Sequence, residues 1–581
     1  MSSNDLKTDS GSYCEPAGDR DVMTTMEEKP TRKRLETVLL MSALALANLL
    51  VALDTTIATT AIPAITASLH SAAGYAWIGS AYSLATAVTV PLWAKLSDIW
   101  GRKPLLLLAI SVFFVGSLLC GIARSMVWLI LARALQGVGG GGISILVSIC
   151  ISDTFSMRER PLYFGVIGMT WSFSSATGPL LGGILTTRAS WRWYFFINLP
   201  STVLSALVVA FKIKVHTPQT RFWEGIKRID WVGSMVMVAG ALLLLLGLQM
   251  GGVDHSWKSP IILSFIICGG LLASIFILWE WKFAHYPLMP LRVLKSRTSV
   301  SALGVCCLHS MCLTGGAYFL PLYLQGVLGA TPLMSGVLLL PFTISLSLTN
   351  IIAGLVIRRT DKYLLIMRVA TCIMALGFGL LISLPQRYQW TKIIIFQIIA
   401  GIGIGPNFQC PLLAVQASSQ QADHAAAAST FNFLNNLSAS CTIVISTAIF
   451  QNSMQKQQSV LINELGVDVA ELLTGQNAAA NLGVIDDLPD IKRVLAHRAF
   501  LKAMLGIWIM YAVLAACSIL CSLCAKDKVL VKEHKMTETG IESEELKREM
   551  EYERRRAKKE AKGVKCYNMQ KQGYFGYEEK N

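Results

Sequence analysis

Charged residues are scarce in this chain. Only 15% of its 581 residues are Asp, Glu, Lys or Arg, while 53% are apolar and the mean hydropathy is +0.52. A soluble protein of this size needs more polar surface to cover its core. The composition therefore excludes a soluble globular protein and predicts an all-α polytopic membrane protein.

A phosphate-binding loop of the form G-x-x-x-x-G-K-S/T is also missing. The nearest segment, GVDHSWKS, has Trp257 at the position of the second glycine. Because that glycine lets the backbone approach the phosphates, an ATP-driven pump is excluded. Neither a selectivity-filter sequence nor a ring of pore-lining charges is apparent, so a channel is a less favoured alternative.

The fourteen cysteines have no regular spacing. Most fall inside or at the ends of apolar segments, so we interpret them as small apolar side chains and expect neither disulfides nor a metal site. The net charge of +15 would suit a nucleic-acid partner. However, the basic residues flank apolar segments instead of forming one stripe, so we expect no nucleic-acid partner.

Apolar segments long enough to cross a membrane are abundant. A helix of about 20 apolar residues spans the roughly 30 Å hydrocarbon layer. The sequence predicts fourteen such helices, approximately at residues 37–61, 74–93, 104–123, 128–151, 163–187, 193–211, 231–250, 261–281, 299–324, 335–357, 364–384, 391–415, 430–450 and 499–523. Because this number is even, both termini are expected on the same side.

The distribution of Lys and Arg orients these helices. Connections after even-numbered spans hold eighteen basic residues, and the short loops on the other side hold six. Since basic loops stay in the cytoplasm, we predict that both termini are cytoplasmic. The expected tails are a disordered one over residues 1–36 and a charged one over 524–581, and the long loop over 451–498 is then extracellular.

A weak internal repeat divides the chain into two parts. Residues 397–416, QIIAGIGIGPNFQCPLLAVQ, align with residues 133–152. The aligned pairs are Gly401 with Gly137, Gly403 with Gly139, Gly405 with Gly141, and Gln397 with Arg133. Parallel six-helix repeats are typical of a large class of transporters. We therefore predict six-helix bundles at residues 37–211 and 299–523, with two linker helices at 212–298.

Two opposite charges fall inside the predicted spans. At 1.5 Å per residue, Asp54 in the first span and Arg133 in the fourth both lie about 8 Å below the outer surface of the hydrocarbon layer. A charge at that depth needs a partner or a watery cavity. We expect the two to face each other, so that a proton at Asp54 weakens the pair. A static ion pair that only orients two helices is the alternative.

Several motifs make the chain resemble the major facilitator superfamily. AKLSDIWGRK, between the second and third spans, contains Asp98, Gly101, Arg102 and Lys103 of the signature G-x-x-x-D-x-x-G-R-R/K, with Ala94 at its first glycine. The fourth span matches R-x-x-Q-G, and ATGPLLGG in the fifth resembles the antiporter signature. LDTTIATTAIPAI in the first span resembles the fourteen-span drug:proton antiporters, and GATPLMSGVLLLPF is most similar to fungal toxin and multidrug exporters.

The resemblance implies roles for these residues. Asp98, Arg102 and Lys103 would form a cytoplasmic charge cluster that joins the second and third spans to the neighbouring half and stabilises the outward-facing state. The antiporter helix is matched by Gly178, Pro179, Gly182 and Gly183. The plainer alternatives are residues that only set topology and a helix that only packs tightly.

Other polar residues inside spans are candidates to line a substrate cavity. They are Gln136, His309, Asn407, Gln409, Asn432 and Asn435. For His309, near the middle of the ninth span, a hydrogen-bonded structural histidine is the favoured interpretation.

The resemblance implies a monomeric secondary transporter without enzymatic activity. It would be driven by the proton gradient, with no cofactor, and its partners would be protons, the lipid bilayer and a small-molecule substrate. The leading hypothesis is export of small amphipathic compounds such as toxins, secondary metabolites and antifungal drugs across the plasma membrane. Uptake, or vacuolar transport, of amino acids, siderophores or similar solutes is the alternative.

Overall fold

The computed structural model describes residues 34–69, 74–188, 190–212, 222–227, 229–251, 255–284, 288–289, 291–420, 423–474, 483–486 and 488–528. Most of the two predicted tails, at residues 1–33 and 529–581, and part of the long outer loop, at 475–482 and 487, lie outside these ranges. Within them, the one β pairing is an isolated bridge between Gly251 and His255. All other regular structure in those ranges is helical.

The first part of the chain forms the helices α1 (Arg34–Ser68), α2 (Gly74–Trp100), α3 (Arg102–Gly121), α4 (Met126–Thr154), α5 (Arg160–Arg188), α6 (Arg192–Phe196) and α7 (Asn198–Lys212). Ser125 begins α4, because its side chain accepts a hydrogen bond from the Trp128 N–H. Gly101, with φ of 91°, makes the turn between α2 and α3. Pro200 has no N–H for the Phe196 carbonyl, so one backbone hydrogen bond is missing between α6 and α7, although Ile197 between them keeps helical dihedrals and the two form one span.

The remaining helices are α8 (Phe222–Lys227), α9 (Trp231–Met250), α10 (Pro260–Lys282), α11 (Arg297–Gly326), α12 (Pro332–Leu338), α13 (Leu340–Thr360), α14 (Tyr363–Leu381), α15 (Trp390–Ile404), α16 (Cys410–Ser418), α17 (His424–Gln455), α18 (Gln458–Leu465), α19 (Val467–Leu473), α20 (Gly483–Asp486) and α21 (Asp490–Leu523). Two 3₁₀ helices cover Leu291–Leu294 and Gly405–Phe408. We call α1–α7 the first half, and α11–α17 with α21 the second half.

The described part of the chain contains 12 helical segments that are long and apolar enough to cross a membrane. The other two predicted spans coincide with α2 and α5, which have 27 and 29 residues but a more polar sequence. These two helices pack against the second half, where polar side chains are shielded from lipid. The all-α membrane fold is therefore confirmed, and the number of fourteen spans stays a prediction.

The halves meet where α5 packs along α13 and α2 packs along α17. Close approach is possible because glycines lie at the contact. A Cβ at Gly354 of α13 would be 2.5 Å from the Pro161 carbonyl oxygen, and one at Gly165 of α5 would be 3.4 Å from Ile351 Cα. The linker helix α9 packs beside this contact, against α2 and α17, while α10 exposes most of its side chains.

The two glycine runs of the predicted repeat have equivalent neighbours. A Cβ at Gly137 of α4 would clash with a carbonyl oxygen of α2, and one at Gly139 with an amide nitrogen of α3. In the second half, a Cβ at Gly401 would clash with a carbonyl oxygen of α13, and one at Gly403 with an amide nitrogen of α14. Each glycine run therefore lets the fourth span of its half pack against the second and third spans of the same half.

Short helices of the long outer loop cover the end of the second half where α11 ends and α21 begins. Apolar residues of α18 and α19, including Leu461 and Leu473, are buried with those of α11 and α21. His497 of α21 holds the same end together, since its Nδ1 lies 2.8 Å from the Gly326 carbonyl oxygen. The loop is thus an ordered cap over residues 458–473.

Candidate functional site

Asp54 and Arg133 lie against each other inside the first half. Asp54 of α1 is 0% exposed and Arg133 of α4 is 1% exposed. Arg133 Nη1 donates to Asp54 Oδ2 at 2.6 Å. Charges buried this completely are tolerated because each is the partner of the other. The depths counted from the sequence agree with this placement, and the role of the pair in proton coupling stays a prediction.

Two carboxamides complete the surroundings of the Asp54 carboxylate. Gln136 Nε2 and Asn198 Nδ2 both donate to Asp54 Oδ1, at 2.7 and 2.8 Å. Gln136 is fixed on its other side, because its Oε1 accepts from Arg133 Nη1 at 2.7 Å and its Nε2 also donates to Ser117 Oγ at 2.8 Å. Both oxygens of the carboxylate therefore accept hydrogen bonds, which stabilise its negative charge.

The guanidinium of Arg133 also contacts α2 and α6. Its Nε donates to the Ile78 carbonyl oxygen at 3.1 Å, and its Nη1 donates to Tyr194 Oη at 3.2 Å. The Tyr194 hydroxyl in turn donates to the backbone carbonyl of Asp54 at 2.7 Å. The Tyr82 ring lies 4.6 Å from Arg133 Cζ, a cation–π contact that adds attraction. Five helices thus hold one ion pair.

Three residues of this site are predicted from the sequence, and two important ones are not. Asp54, Arg133 and Gln136 were candidates, whereas Asn198 and Tyr194 were not. The sequence does carry a signal for Asn198, since it is a polar residue inside an apolar span, two positions before Pro200. A proline inside a span frees backbone groups and marks a break, where a neighbouring polar side chain can turn inward.

A second charged cluster lies where α2 passes into α3. Arg102 is 1% exposed and pairs with Asp98 Oδ1 at 2.6 Å and with Asp153 Oδ2 at 2.8 Å. Lys103 Nζ donates to the Ala210 carbonyl oxygen of α7 at 2.5 Å. These contacts lie within the first half, whereas the family resemblance implied a bridge to the second. Asp153, which was not predicted from the sequence, provides the second carboxylate that Arg102 contacts in the first half.

Arg158 joins the two halves at the same end, which we call the basic end and define by Arg102, Arg158 and Arg358. Arg158 Nε donates to the Arg358 carbonyl oxygen at 2.8 Å, and its Nη2 donates to the Arg359 carbonyl oxygen at 3.1 Å. It also pairs with Asp361 at 2.9 Å. A cation at the C-terminus of α13 satisfies carbonyls that have no partner within the helix.

Arg160 makes a second, buried link between the halves at the basic end. It is 2% exposed, and its Nη1 donates to Gln416 Oε1 at 2.9 Å and lies 3.2 Å from His424 Nδ1. Gln416 Nε2 makes another hydrogen bond between the halves by donating to Ser152 Oγ of α4 at 2.9 Å. The basic end is therefore closed by hydrogen bonds that run across the boundary between the halves.

The predicted antiporter helix is α5. Gly178 lies where α5 meets α1, because a Cβ there would clash with Thr56, whose Oγ1 donates to the Ser174 carbonyl oxygen at 3.0 Å. Gly182 is buried. The side-chain surroundings of Pro179 and Gly183 lie outside the described residues, and the role of all four stays a prediction.

His309 is buried in the second half. It is 2% exposed, its Nε2 lies 3.2 Å from the Ile404 carbonyl oxygen, and its ring packs edge-on against Phe408 at 5.4 Å. A histidine held by a backbone hydrogen bond and an aromatic ring fits the structural interpretation. Its contribution to a cavity stays a prediction.

The other cavity candidates lie in separate places. Gln136 belongs to the Asp54 site, whereas Asn407 and Gln409 are 0% and 1% exposed inside the second half. Asn432 and Asn435 are half-buried on α17. In the ranges that the structure describes, no group of three or more His, Cys, Asp or Glu residues is placed to hold a metal ion.

Comparison with known proteins identifies the family. The sequence model of the Major Facilitator Superfamily matches residues 44–442. The chain is 41% identical over 536 residues to the MFS-type transporter ppz2 of Metarhizium majus, covering 92% of each chain. It is 43% identical over 506 residues to the efflux pump dotC of Dothistroma septosporum, covering 87% of each.

Solved structures agree on the fold. The crystal structure of the human organic anion transporter MFSD10 (TETRAN) aligns with a TM-score of 0.53 and 14% identity, over 83% of this chain and 100% of that one. A bacterial homologue of the human lysosomal transporter Spinster, in an inward-facing and unoccupied conformation, aligns with a TM-score of 0.53 and 16% identity, over 85% and 98%. The chain therefore belongs to the Major Facilitator Superfamily, whose members are multi-pass membrane transporters and not enzymes.

Proposed function

We propose that this transporter exports small amphipathic organic compounds in exchange for protons, by alternating access between its two halves. The observation that carries the proposal is the ion pair of Asp54 and Arg133, joined at 2.6 Å and shielded from solvent. An isolated pair of this kind inside a transporter is suited to a proton site. Fungal relatives named efflux pumps support export rather than uptake as the direction.

Protonation of Asp54 would change the balance of forces between α1 and α4. With the carboxylate ionised, Arg133 has a counter-charge and the two helices are held together. A proton on the carboxylate removes that counter-charge and leaves a buried cation, which is costly. The lowest-energy response is a rearrangement that gives Arg133 water or another partner. Proton binding and helix movement are coupled in this way.

The contacts at the basic end support a state that is closed there. Arg158 and Arg160 join the halves by hydrogen bonds to Arg358, Gln416 and neighbouring groups. Alternating access requires such contacts to break when the opposite end closes. Asp98, Arg102 and Lys103 act in this scheme by holding α2, α3, α4 and α7 together as one rigid unit.

The orientation and location of the protein follow from its charge distribution and its proposed activity. We place the basic end and both termini in the cytoplasm, because connections at that end carry most of the loop Lys and Arg residues. The plasma membrane is the location that suits export of toxins, secondary metabolites or drugs. Protons and the lipid bilayer are the other partners, the unit is a monomer, and the proton gradient is the energy source without a cofactor.

The test is substitution of the buried carboxylate. Asp54→Asn keeps the size of the side chain but cannot ionise, so we expect proteoliposomes with an imposed proton gradient to stop accumulating rhodamine 6G, an amphipathic dye. Asp490→Asn is the matched control, since that carboxylate, at the start of α21, is 96% exposed. If Asp54→Asn still concentrated the dye in a gradient-dependent way, while remaining folded by size-exclusion chromatography, the proton-coupling role would be wrong.

A further inference from the structure

The span formed by α6 and α7 places two residues directly on Asp54. Tyr194 of α6 donates to the Asp54 backbone carbonyl at 2.7 Å, and Asn198, the first residue of α7, donates to its carboxylate at 2.8 Å. Ile197, between the two helices, keeps helical dihedrals, so α6 and α7 form one continuous span that lacks only the backbone hydrogen bond which Pro200 cannot donate. Tyr194 and Asn198 therefore connect this span to Asp54 one helical turn apart.

The two carboxamides on Asp54 Oδ1 differ in how they are held. Gln136 is tied at both ends, by Arg133 at its oxygen and by Ser117 at its nitrogen. For the side chain of Asn198, the one hydrogen bond found among the described residues is the bond to Asp54. Turning Gln136 over would break several hydrogen bonds, whereas turning Asn198 over would break one.

Protonation of Asp54 changes the hydrogen-bonding role of its Oδ1 atom from acceptor to donor. Ionised, Oδ1 only accepts, and the N–H of Asn198 is the right partner. Protonated at Oδ1, the carboxyl presents an O–H donor, which needs an acceptor. A half-turn of the Asn198 carboxamide brings its oxygen to that position. Oδ2 faces the Arg133 guanidinium, which has no acceptor for an O–H, so Oδ1 is the oxygen that takes the proton.

We infer that Asn198 is a positioning residue whose carboxamide turns over when Asp54 is protonated, so that α7 exchanges one hydrogen bond with Asp54 for another as the proton binds. The inference rests on the proposed proton-coupling function. The proton moves from water to Asp54 Oδ1, the O–H donates to Asn198 Oδ1, and no covalent bond other than O–H forms or breaks. The role belongs to Asn198 because turning its carboxamide over breaks no hydrogen bond of Arg133, whereas turning Gln136 over would break one.

Four titratable or charged groups interact electrostatically with Asp54 among the residues described. They are Tyr82 of α2, Cys120 of α3, Arg133 of α4 and Tyr194 of α6. The first and the last two are fixed by the contacts given above, and Cys120 lies 3.7 Å from Gln136 Oε1. The Asn198 variants below leave all four in place.

The experiment follows Asp54 itself and needs no substrate. Purified protein is titrated while the carboxylic C=O stretch is followed by infrared difference spectroscopy, and the band that is lost in Asp54→Asn is assigned to Asp54. Asn198→Leu removes a donor that stabilises the ionised form more than the protonated form. Protonation then occurs at higher pH, and we expect the titration midpoint to move up by about one pH unit, with a shifted C=O frequency.

Two further variants separate positioning from packing. Asn198→Ser keeps a rotatable donor and acceptor, so we expect a smaller shift of the midpoint than in Asn198→Leu. The matched control is Asn48→Leu, which removes an equally buried carboxamide on α1 that donates to Thr170 Oγ1 at 2.7 Å. Its midpoint should equal that of the parent protein.

The outcomes distinguish the inference from the function on which it rests. An Asp54 band with the same midpoint in the parent, Asn198→Leu and Asn198→Ser would overturn the role of Asn198 and leave proton coupling intact. If Asn198→Leu does not fold, Asn198→Ser decides in the same way, because an unchanged midpoint and frequency contradict the inference. Absence of any band that depends on Asp54 between pH 4 and 10 would instead count against the proposed function.

Discussion

At the scale of single residues, loss of Arg133 should destabilise the protein strongly, because Arg133 and Asp54 are buried together. Arg133→Gln leaves the buried Asp54 carboxylate without its counter-charge. Removing one partner of a buried ion pair costs about 3–5 kcal/mol, so we expect a clear fall in the thermal unfolding midpoint of the purified protein. The double variant Asp54→Asn with Arg133→Gln should regain much of this loss, because two neutral amides can hydrogen bond.

The control for this prediction is a partly exposed arginine. Arg493, in the first turn of α21, pairs with Asp490 at 3.7 Å, with side chains 39% and 96% exposed, and its Nη2 donates to the Leu488 carbonyl oxygen at 3.1 Å. Exposed pairs contribute about 0–1 kcal/mol, so Arg493→Gln should leave the unfolding midpoint almost unchanged. A double variant that is as unstable as Arg133→Gln would show that the uncompensated charge of Asp54 is not the cause of the loss.

The depth of a charged residue in a span can be calculated from its position in the sequence. The residues that contact it cannot be identified in the same way. Counting 1.5 Å per residue brought Asp54 and Arg133 to the same height, and the structure places them in contact. Asn198 was missed because hydropathy does not reveal which face of the sixth span packs against α1. Asp153 was missed because an acidic residue at the end of a span needs no explanation until its partner, Arg102, is known.

At the scale of helices, the glycines of α4 set how closely the first half can pack. Gly137→Ala puts a methyl group against the Tyr82 carbonyl oxygen, and neither backbone can move without displacing its helix. We expect a lower unfolding midpoint and a lower folded yield, at a cost of about 1–3 kcal/mol. Fluorescence-detected size-exclusion chromatography after heating measures both.

Gly270 of α10 is the matched control for Gly137, since it is another glycine in the middle of a spanning helix. No atom lies within 4 Å of a Cβ built there. Gly270→Ala should therefore be neutral, or stabilising by about 0.5–1 kcal/mol through the better helix propensity of alanine. Equal losses for the two variants would mean that close approach of α2 and α4 is not what Gly137 provides.

Helix positions were predictable because a membrane span needs a minimum apolar length. Predicted span 231–250 coincides with α9 (Trp231–Met250), and most other spans differ from their helices by a few residues. The interruptions within spans were not predicted. Hydropathy stays high across the 3₁₀ segment Gly405–Phe408, so a window average cannot detect it, although Pro406 and Pro411 mark it in the sequence.

At the scale of the whole molecule, the contacts between the halves were the least predictable feature. Arg158 and Arg358 are separated by 200 positions, and each is also an ordinary basic residue of a short loop. Positive charge near a span end is expected from topology alone. Only the packing of α5 on α13 reveals that Arg158 caps the C-terminus of α13 in the second half.

The last prediction concerns that closure. Arg158→Ala removes two hydrogen bonds to carbonyls of α13 and an ion pair with Asp361. Because Arg158 is partly exposed, we expect a cost of about 1–2 kcal/mol, which changes the ratio of two conformations roughly tenfold. The measurement is the distance between spin labels at Pro104→Cys and Thr360→Cys, in a protein whose exposed native cysteines are replaced by Ser. Double electron–electron resonance then reports the distance between the halves at the basic end.

The Arg158→Ala protein should gain a population with a longer distance, whereas Arg493→Ala should not. If the Arg158→Ala distances matched those of the parent, closure would have to come from the buried Arg160, Gln416 and Ser152, and Arg158 would only satisfy the end of α13.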